Sequence, residues 1–497
     1  MPQQLLPYQY IERSSIGMTA MSGLPTYLDL AQVARLSESV RSYVRVRPGG
    51  GQGWSDEEMV RALVLLKLAG GDCVSDIDLL EGDEGLCRVM RKAEWHGLSR
   101  RERRERERRF RKEKKRSFPS ESAIFRYLSC FHEESQEANR QPGTAFIPEA
   151  NAHLRGLLRV SQELVSFQQR RSPSRQATLD MDATLIESTK KQALFSYKGY
   201  RAYQPLTTYW FEQDVIVHSE FRDGNVPAGH EQLRVFQESL AALPEGVEEV
   251  FLRSDSAGYQ KELLRFCAEG RSERFGVIGF AIGADVTDAL RKSVTEVEES
   301  QWHSLAGGRQ QWAEICFVPS WVSHSKKNPD YRFIAIREPL RQPTLTGIEQ
   351  SELPFPVMEM KSASYKLTAL VTNRDLPGEE LIAWYRQRCG NSEQAHAILK
   401  DDLGGAGLPS ASFGENAAWW ALTVLAFNLN TLMKRLVLGG SWLNKRLKAI
   451  RFHFINIAGR VWEHARTLWI GVSQSHPSWE LLRRARQSIA LLAQPSG

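Results

Sequence analysis

The chain has 497 residues, 42% hydrophobic and 25% charged, enough to bury a large core in roughly two to four domains. Its longest apolar runs, such as 63–68, fall far short of the roughly 20 residues a membrane helix needs. No basic-then-apolar leader opens the sequence, and Cys73, Cys87, Cys130, Cys267, Cys316 and Cys389 fit neither a zinc knuckle nor a disulfide framework, so a reduced, cytoplasmic protein without membrane contact is expected. The formal charge of +6 is concentrated. Residues 100–116, RRERRERERRFRKEKKR, hold twelve Arg or Lys against four Glu, which leaves about −2 (6 − 8) for the rest. Such a run gains DNA affinity by releasing phosphate counterions, and it makes Arg104, Arg108 and Lys112 DNA-contact candidates. A solvated helix held by Glu–Arg pairs explains it equally well.

In chain order, 28–43 and 56–69 read as amphipathic helices, the second opening at Ser55 with Asp56, Glu57 and Glu58 in its first turn. A third is expected over 76–91 and a fourth at SESAIFRYLSCF, after the break at Phe118-Pro119. From 176 the pattern changes. ATLDMDATLIES alternates and is β-branched; PLTTYWF and DVIVHSEF read as a hairpin turning at Glu212 to Asp214. A helix over 229–242, the strand EVFLRSD, the helix AGYQKELLRFCAEG and the strand RFGVIGFAI complete an order of three strands, helix, strand, helix, strand. That is the order of an RNase H-like α/β core. Residues 284–370 interrupt it with short strand-like pieces among Gly, Pro and Ser. A long helix over 377–402 and the apolar helix AAWWALTVLAFNLNTLMKRL follow, the latter read as a buried core helix because Asn428 and Asn430 break its apolar run.

The predicted organisation is a helical region over 1–170, the first part of the core over 171–283, a β-rich insertion over 284–370, the second part of the core over 371–437, and C-terminal helices over 438–497.

Acidic residues at strand ends are the first candidates for chemistry. Asp182 lies in the first strand and Asp255 closes the fourth, and in an RNase H-like sheet these strands are neighbours. Two adjacent carboxylates repel and desolvate badly unless a cation lies between them. Mg²⁺ accepts carboxylate oxygens while keeping phosphate and water, and a third carboxylate for a second ion is available at Glu393. Asp180 and Asp182 share one face of the strand, so spacing does not decide between them. Arg253 precedes the Asp255 turn and is a phosphate-contact candidate.

The long helix reads Tyr385-Arg386-Gln387-Arg388-Cys389-Gly390-Asn391-Ser392-Glu393, then six residues, then Lys400. This resembles the Tyr-(2)-Arg-(3)-Glu-(6)-Lys signature of insertion-sequence DDE transposases. VTNRDLPGEELIAWYRQRCG, LGGAGLPSASFGENAAWW, LDMDATL, RSDSAGYQKELL and FRDGNVPAG are similar to blocks of insertion-sequence family thirteen-eighty, which is related to the piggyBac group. The resemblance spans about residues 20 to 480. It implies a DNA transposase in which Asp182, Asp255 and Glu393 bind two Mg²⁺ (or Mn²⁺), and in which Tyr385, Arg388, His396 and Lys400 are DNA-contact candidates. For His396, a packed core histidine is an equal reading. Trp302, Trp312 and Trp321, in the inserted segment, are candidates for stacking on a flipped base, with a core role as the alternative. The implied partners are terminal inverted repeats, target DNA and a second copy of the chain, in a bacterial nucleoid setting, with a DNA hairpin as an optional intermediate. A metal-dependent nuclease without strand transfer, or an inactive DNA-binding relative, are the alternatives.

One departure has a structural consequence. Four residues, not three, separate Arg388 from Glu393, which turns Tyr385 and Arg388 about 100° away from the Glu393 stripe. A bulge or break at Cys389-Gly390 is therefore expected.

Overall fold

The computed structural model describes residues 16–47, 53–96, 98–109, 116–322, 331–340, 356–360 and 363–494. The chain forms two compact units, Met1–Leu128 with Met433–Gly497, and Ser129–Leu432. The expected boundary near 170 therefore falls inside the second unit, at the end of the helix Ala152–Arg171.

In the first unit the Ser55 helix is as anticipated. It covers Asp56–Ala69, Ser55 accepts from Glu58 N, and Glu58 bonds back to Ser55 N, a full capping box. The neighbouring predictions each split in two. Arg35 (φ 57°) separates Pro25–Val33 from Leu36–Tyr43, and Asp83 ends Ile77–Gly82 and caps Glu84–Trp95 by accepting from Leu86 N. The basic run begins as the helix Arg100–Arg109, capped at Ser99. Arg104 is exposed; the side chain of Arg108 and all of Lys112 lie outside the described residues. The C-terminal region is not all helix. Gly459–His464 and Thr467–Val472 form a hairpin that pairs with Met18–Thr19, and a helix over Trp479–Leu492 follows. The missed hairpin turns at Ala465-Arg466, both at positive φ, a turn without the Gly or Asn that marks such sites in a sequence.

The second unit is built on a large mixed sheet. Its strands are β1 (Gln176–Ala183), β2 (Leu206–Trp210), β3 (Val215–Glu220), β4 (Glu249–Ser254), β5 (Gly279–Ala284), β6 (His303–Ser304), β7 (Gln311–Ile315), β8 (Arg332–Pro339), β9 (Val357–Met360) and β10 (Ala363–Thr372). Their order is β6-β7-β8-β10-β5-β4-β1-β2-β3, with β9 on β10. Strands β1, β4 and β5 are mutually parallel; the other pairings are antiparallel. The inserted segment thus adds its strands to the edge of the same sheet through β10 on β5, and does not form a sheet of its own.

Both faces are covered. Leu179, Met181, Leu252, Phe280 and Ile282 pack with Val235, Phe236, Leu263 and Leu264 from the helices Gln232–Ala242 and Lys261–Ala268. On the opposite face Ala281, Ile334 and Leu370 meet Leu381 and Ile382 of the helix Gly378–Arg386. Each fully buried Leu, Ile or Phe contributes about 1.5–3 kcal/mol. This period-2 division leaves the face of β1 that carries Asp180 and Asp182 toward the Gly378–Arg386 side.

Strand β3 is the sheet edge, and an apolar helix closes it. Phe413–Leu432 is buried at every position except Glu415. Its Asn428 Oδ1 accepts from Ile216 N at 2.9 Å, and its Nδ2 donates to Ile216 O at 2.9 Å, so the side-chain amide stands in for a neighbouring strand. Asn428→Leu should strip both groups of their partners in a dry setting. A loss of about 2–6 kcal/mol, from two buried groups at about 1–3 kcal/mol each, is expected in urea unfolding.

Candidate active site

The parallel register of β1 on β4 pairs Asp180 with Arg253 and Met181 with Ser254, so the next step sets Asp182 beside Asp255. Local structure then fixes the second carboxylate. Asp255 ends β4 and caps the short turn Ser256–Gly258, with Oδ1 accepting from Ala257 N at 3.1 Å. Gly258 is required there, because a Cβ would sit 2.6 Å from the Ser254 side chain.

Asp180 and Asp182 share a face but have different surroundings. Arg253 Nε and Nη2 donate to Asp180 at 2.6 and 2.8 Å, and both side chains are fully buried. The same guanidinium donates to Trp384 O at 2.7 Å and lies over the rings of Phe211 and Trp384, at 4.7 and 5.2 Å. Asp180 is therefore a structural partner. Arg253, expected at a DNA phosphate, is not accessible to one; it ties β1, β4 and the Gly378–Arg386 helix together.

Asp182 faces a polar group from the next helical segment. Ser392 Oγ donates to Asp182 Oδ2 at 3.1 Å, Arg388 Nη2 lies 3.6 Å from Oδ1, and His396 Nε2 lies 3.6 Å from Oδ2. Burial opposes ionisation of Asp182, but His396, Arg388 and Ser392 outweigh it and hold the carboxyl below its usual range. Asp255 moves the other way. Burial and the charge of Asp182 push its carboxyl up, and Arg388 offsets this only in part. Tyr385 OH donates to Ser254 O at 3.3 Å, and its ring lies 5.8 Å from the Arg388 guanidinium. Two buried nitrogens in this group, Arg388 Nε and His396 Nδ1, have no hydrogen-bond partner among the described residues.

The helix is broken where the extra residue predicted it. Helical geometry is lost at Cys389 (ψ 128°) and Gly390 (φ 92°, ψ −45°) and resumes at Asn391. The break does not bring Glu393 onto the face of Arg388 that meets Asp182; a π-helical turn occurs farther on, at Ile398–Asp402, and contains the half-buried Lys400. After the break, Ser392 and His396 point at Asp182. Glu393 is exposed and makes no hydrogen bond or ion pair among the described residues. No group of three or more His, Cys, Asp or Glu suited to a metal occurs among the described residues. The facing, desolvated Asp182 and Asp255 fit a divalent cation; Glu393 is not gathered with them.

The three tryptophans expected as base-stacking candidates pack inward. Trp302 is buried under the Arg337 guanidinium, 4.1 Å from its ring. Trp312 stacks 4.9 Å from His303 and fills the space that a Cβ at Gly378 would need. Trp321 is half-buried and edge-on to Tyr331 at 5.5 Å. Their packing matches the core alternative. Neither the Asp180–Arg253 pair nor the contact of Ser392 with Asp182 was evident from the sequence alone. For the pair, two opposite charges on predicted neighbouring strands were the available signal.

The site thus consists of two apposed aspartates at the ends of parallel central strands of a mixed sheet. The family model described as transposase DDE domain group 1 matches residues 19–494, and the chain belongs to the DDE transposases. Among solved structures, it is similar to a piggyBac transposase in a synaptic complex with hairpin DNA, at 10% identity and a TM-score of 0.40, over 94% of this chain and 91% of that one. No curated protein matches the chain.

Two substitutions test this geometry. Arg253→Met leaves Asp180 buried and unpaired and should cost about 3–5 kcal/mol in chemical denaturation, with most of the loss recovered in the Asp180→Leu/Arg253→Met double variant. Gly390→Ala meets no neighbouring atom within 4 Å, so any penalty is backbone strain. A destabilisation of about 1–3 kcal/mol is expected by the same measurement.

Proposed function

We propose that this protein is a DNA transposase with an RNase H-like catalytic core, which cuts transposon ends and joins them to target DNA. The observation that carries the reading is the apposition of Asp182 and Asp255 on neighbouring parallel strands, in a chain of the DDE transposase family. Asp182 and Asp255 would hold divalent metal, Mg²⁺ or Mn²⁺, and Glu393 would complete the set if the Asn391–Ala397 segment turned about the Cys389–Gly390 break. Ser392 now occupies the place facing Asp182, and Glu393 follows it by about 100° of helix. When bound, the ions supply Lewis-acid activation of the attacking and leaving oxygens.

The chain's own groups prepare the site. Arg388 and His396 favour the ionised form of Asp182, whereas burial and the Asp182 charge disfavour that of Asp255, a repulsion that a divalent cation between them would relieve. Arg388 Nε, buried without a partner, is a donor available to a phosphate oxygen. Tyr385 buttresses Arg388.

The chemistry is two successive displacements at phosphorus. Water attacks the phosphodiester at the transposon end, a P–O bond forms as the P–O3′ bond breaks, and a 3′-hydroxyl and a 5′-phosphate result. That hydroxyl then attacks a second phosphodiester, in the opposite strand to give a hairpin or in the target, and releases a new 3′-hydroxyl. The substrates are double-stranded terminal repeats and target DNA, handled by a homodimer in a bacterial cell.

Asp182→Asn, Asp255→Asn and Glu393→Gln should each reduce cleavage of a terminal-repeat substrate to background while duplex binding persists. Full activity in any one would remove that residue from the site. Cut donor without joined product would instead mark a nuclease lacking strand transfer.

A further inference from the structure

Just beyond Asp182 the chain leaves the large sheet and builds a small flap. Ile186–Glu187 pairs with Arg201–Tyr203, which pairs in turn with Leu194–Phe195. Its foot is fixed. Thr184 N donates to Pro205 O at 3.1 Å, Gly224 N donates to Ala202 O at 2.9 Å, and buried Tyr203 stacks on Phe221 at 4.9 Å. Arg140, itself buried against Asp223, donates to Gln192 O at 3.3 Å.

The tip has a different character. It turns at Gly199 (φ 81°) and carries Phe195 and Tyr197 at 55% and 76% exposure. Lys191 and Lys198 are exposed and Lys190 is half-buried, and none of the three has a carboxylate partner among the described residues. The one acid of the flap is Glu187. Arg201 is used internally. Its guanidinium donates to Lys191 O and Ala193 O at 2.7 and 2.6 Å and lies 4.5 Å from the Phe195 ring, so it braces the loop that presents the lysines. Arg234, Arg265 and Arg483, by contrast, are paired with glutamates.

We propose that this flap, residues 186–203, is a DNA-phosphate contact in which Lys191 and Lys198, with Lys190, grip the duplex next to the Asp182–Asp255 site. The inference rests on the transposase reading. Its basis is charge complementarity. Ammonium groups without a carboxylate partner among the described residues, on a flap whose foot begins just past Asp182, would neutralise backbone charge close to the reacting phosphate without reading sequence. The carboxylates themselves repel DNA, so a cationic element beside them lowers the cost of bringing a phosphate in.

The test is the salt dependence of binding of the full chain to a mixed-sequence DNA duplex, for wild type, Lys191→Gln/Lys198→Gln, and a control Lys292→Gln on the exposed face of the helix Asp288–Thr295. Each released phosphate contact removes about 0.9 from the slope of log K against log salt, so the double variant should lose about two units and the control nothing. Unaltered melting temperatures would show that all variants are folded. A wild-type slope in the double variant, or an equal loss in the control, would overturn the flap contact while leaving the transposase reading in place. Wild-type protein that binds no DNA would overturn that reading, and the flap with it.

Discussion

The buried ion pair between Asp180 and Arg253 is the constraint on which the site depends. It joins adjacent parallel strands at one register position, and the same guanidinium takes hold of Trp384 O on the covering helix. Two full charges without water are tolerable only because every strong donor is directed at an oxygen or lies over an aromatic face. The arrangement locks the register that sets Asp182 next to Asp255. A slip of β1 by one residue would turn Asp180 and Asp182 toward the apolar core that Leu179 and Met181 occupy.

Around that locked pair the electrostatics are uneven. Asp182 has Arg388, Ser392 and His396; Asp255 has a backbone N–H and the repulsion of its neighbour. Cationic side chains thus occupy the role that a metal or a phosphate counter-charge would take beside Asp182. The segment carrying Ser392 and His396 is joined to the rest of the helix through Cys389 and Gly390, where helical geometry fails. A broken helix can be turned without unravelling the turns on either side. This makes the region an apt place for a ligand to enter or leave the site.

The fold protects its edges by unusual means. At one side of the sheet Asn428 imitates a strand; toward the other, the inserted strands extend the sheet through β10. The central strands are consequently buried on both faces. Asn428 is an instance of a buried polar residue retained for what it satisfies, since both of its amide atoms reach the backbone of Ile216.

Much was legible in the sequence, and for local reasons. The strands around Asp182 and Asp255, the turn between β2 and β3, the Ser55 capping box and the helix break at Cys389–Gly390 all follow from period, turn chemistry and spacing within a few residues. Family membership was legible too, because the blocks around the acidic residues are long. Partnership was not. Whether Asp180 or Asp182 is committed to an arginine, whether a tryptophan faces the core or a base, and whether the N- and C-terminal segments share a unit depend on contacts between residues far apart in the chain. Spacing along one strand cannot distinguish two aspartates on the same face. Only the tertiary structure decides, by placing Arg253 against the first and the Arg388–His396 segment against the second, because burial allows each charge one set of partners.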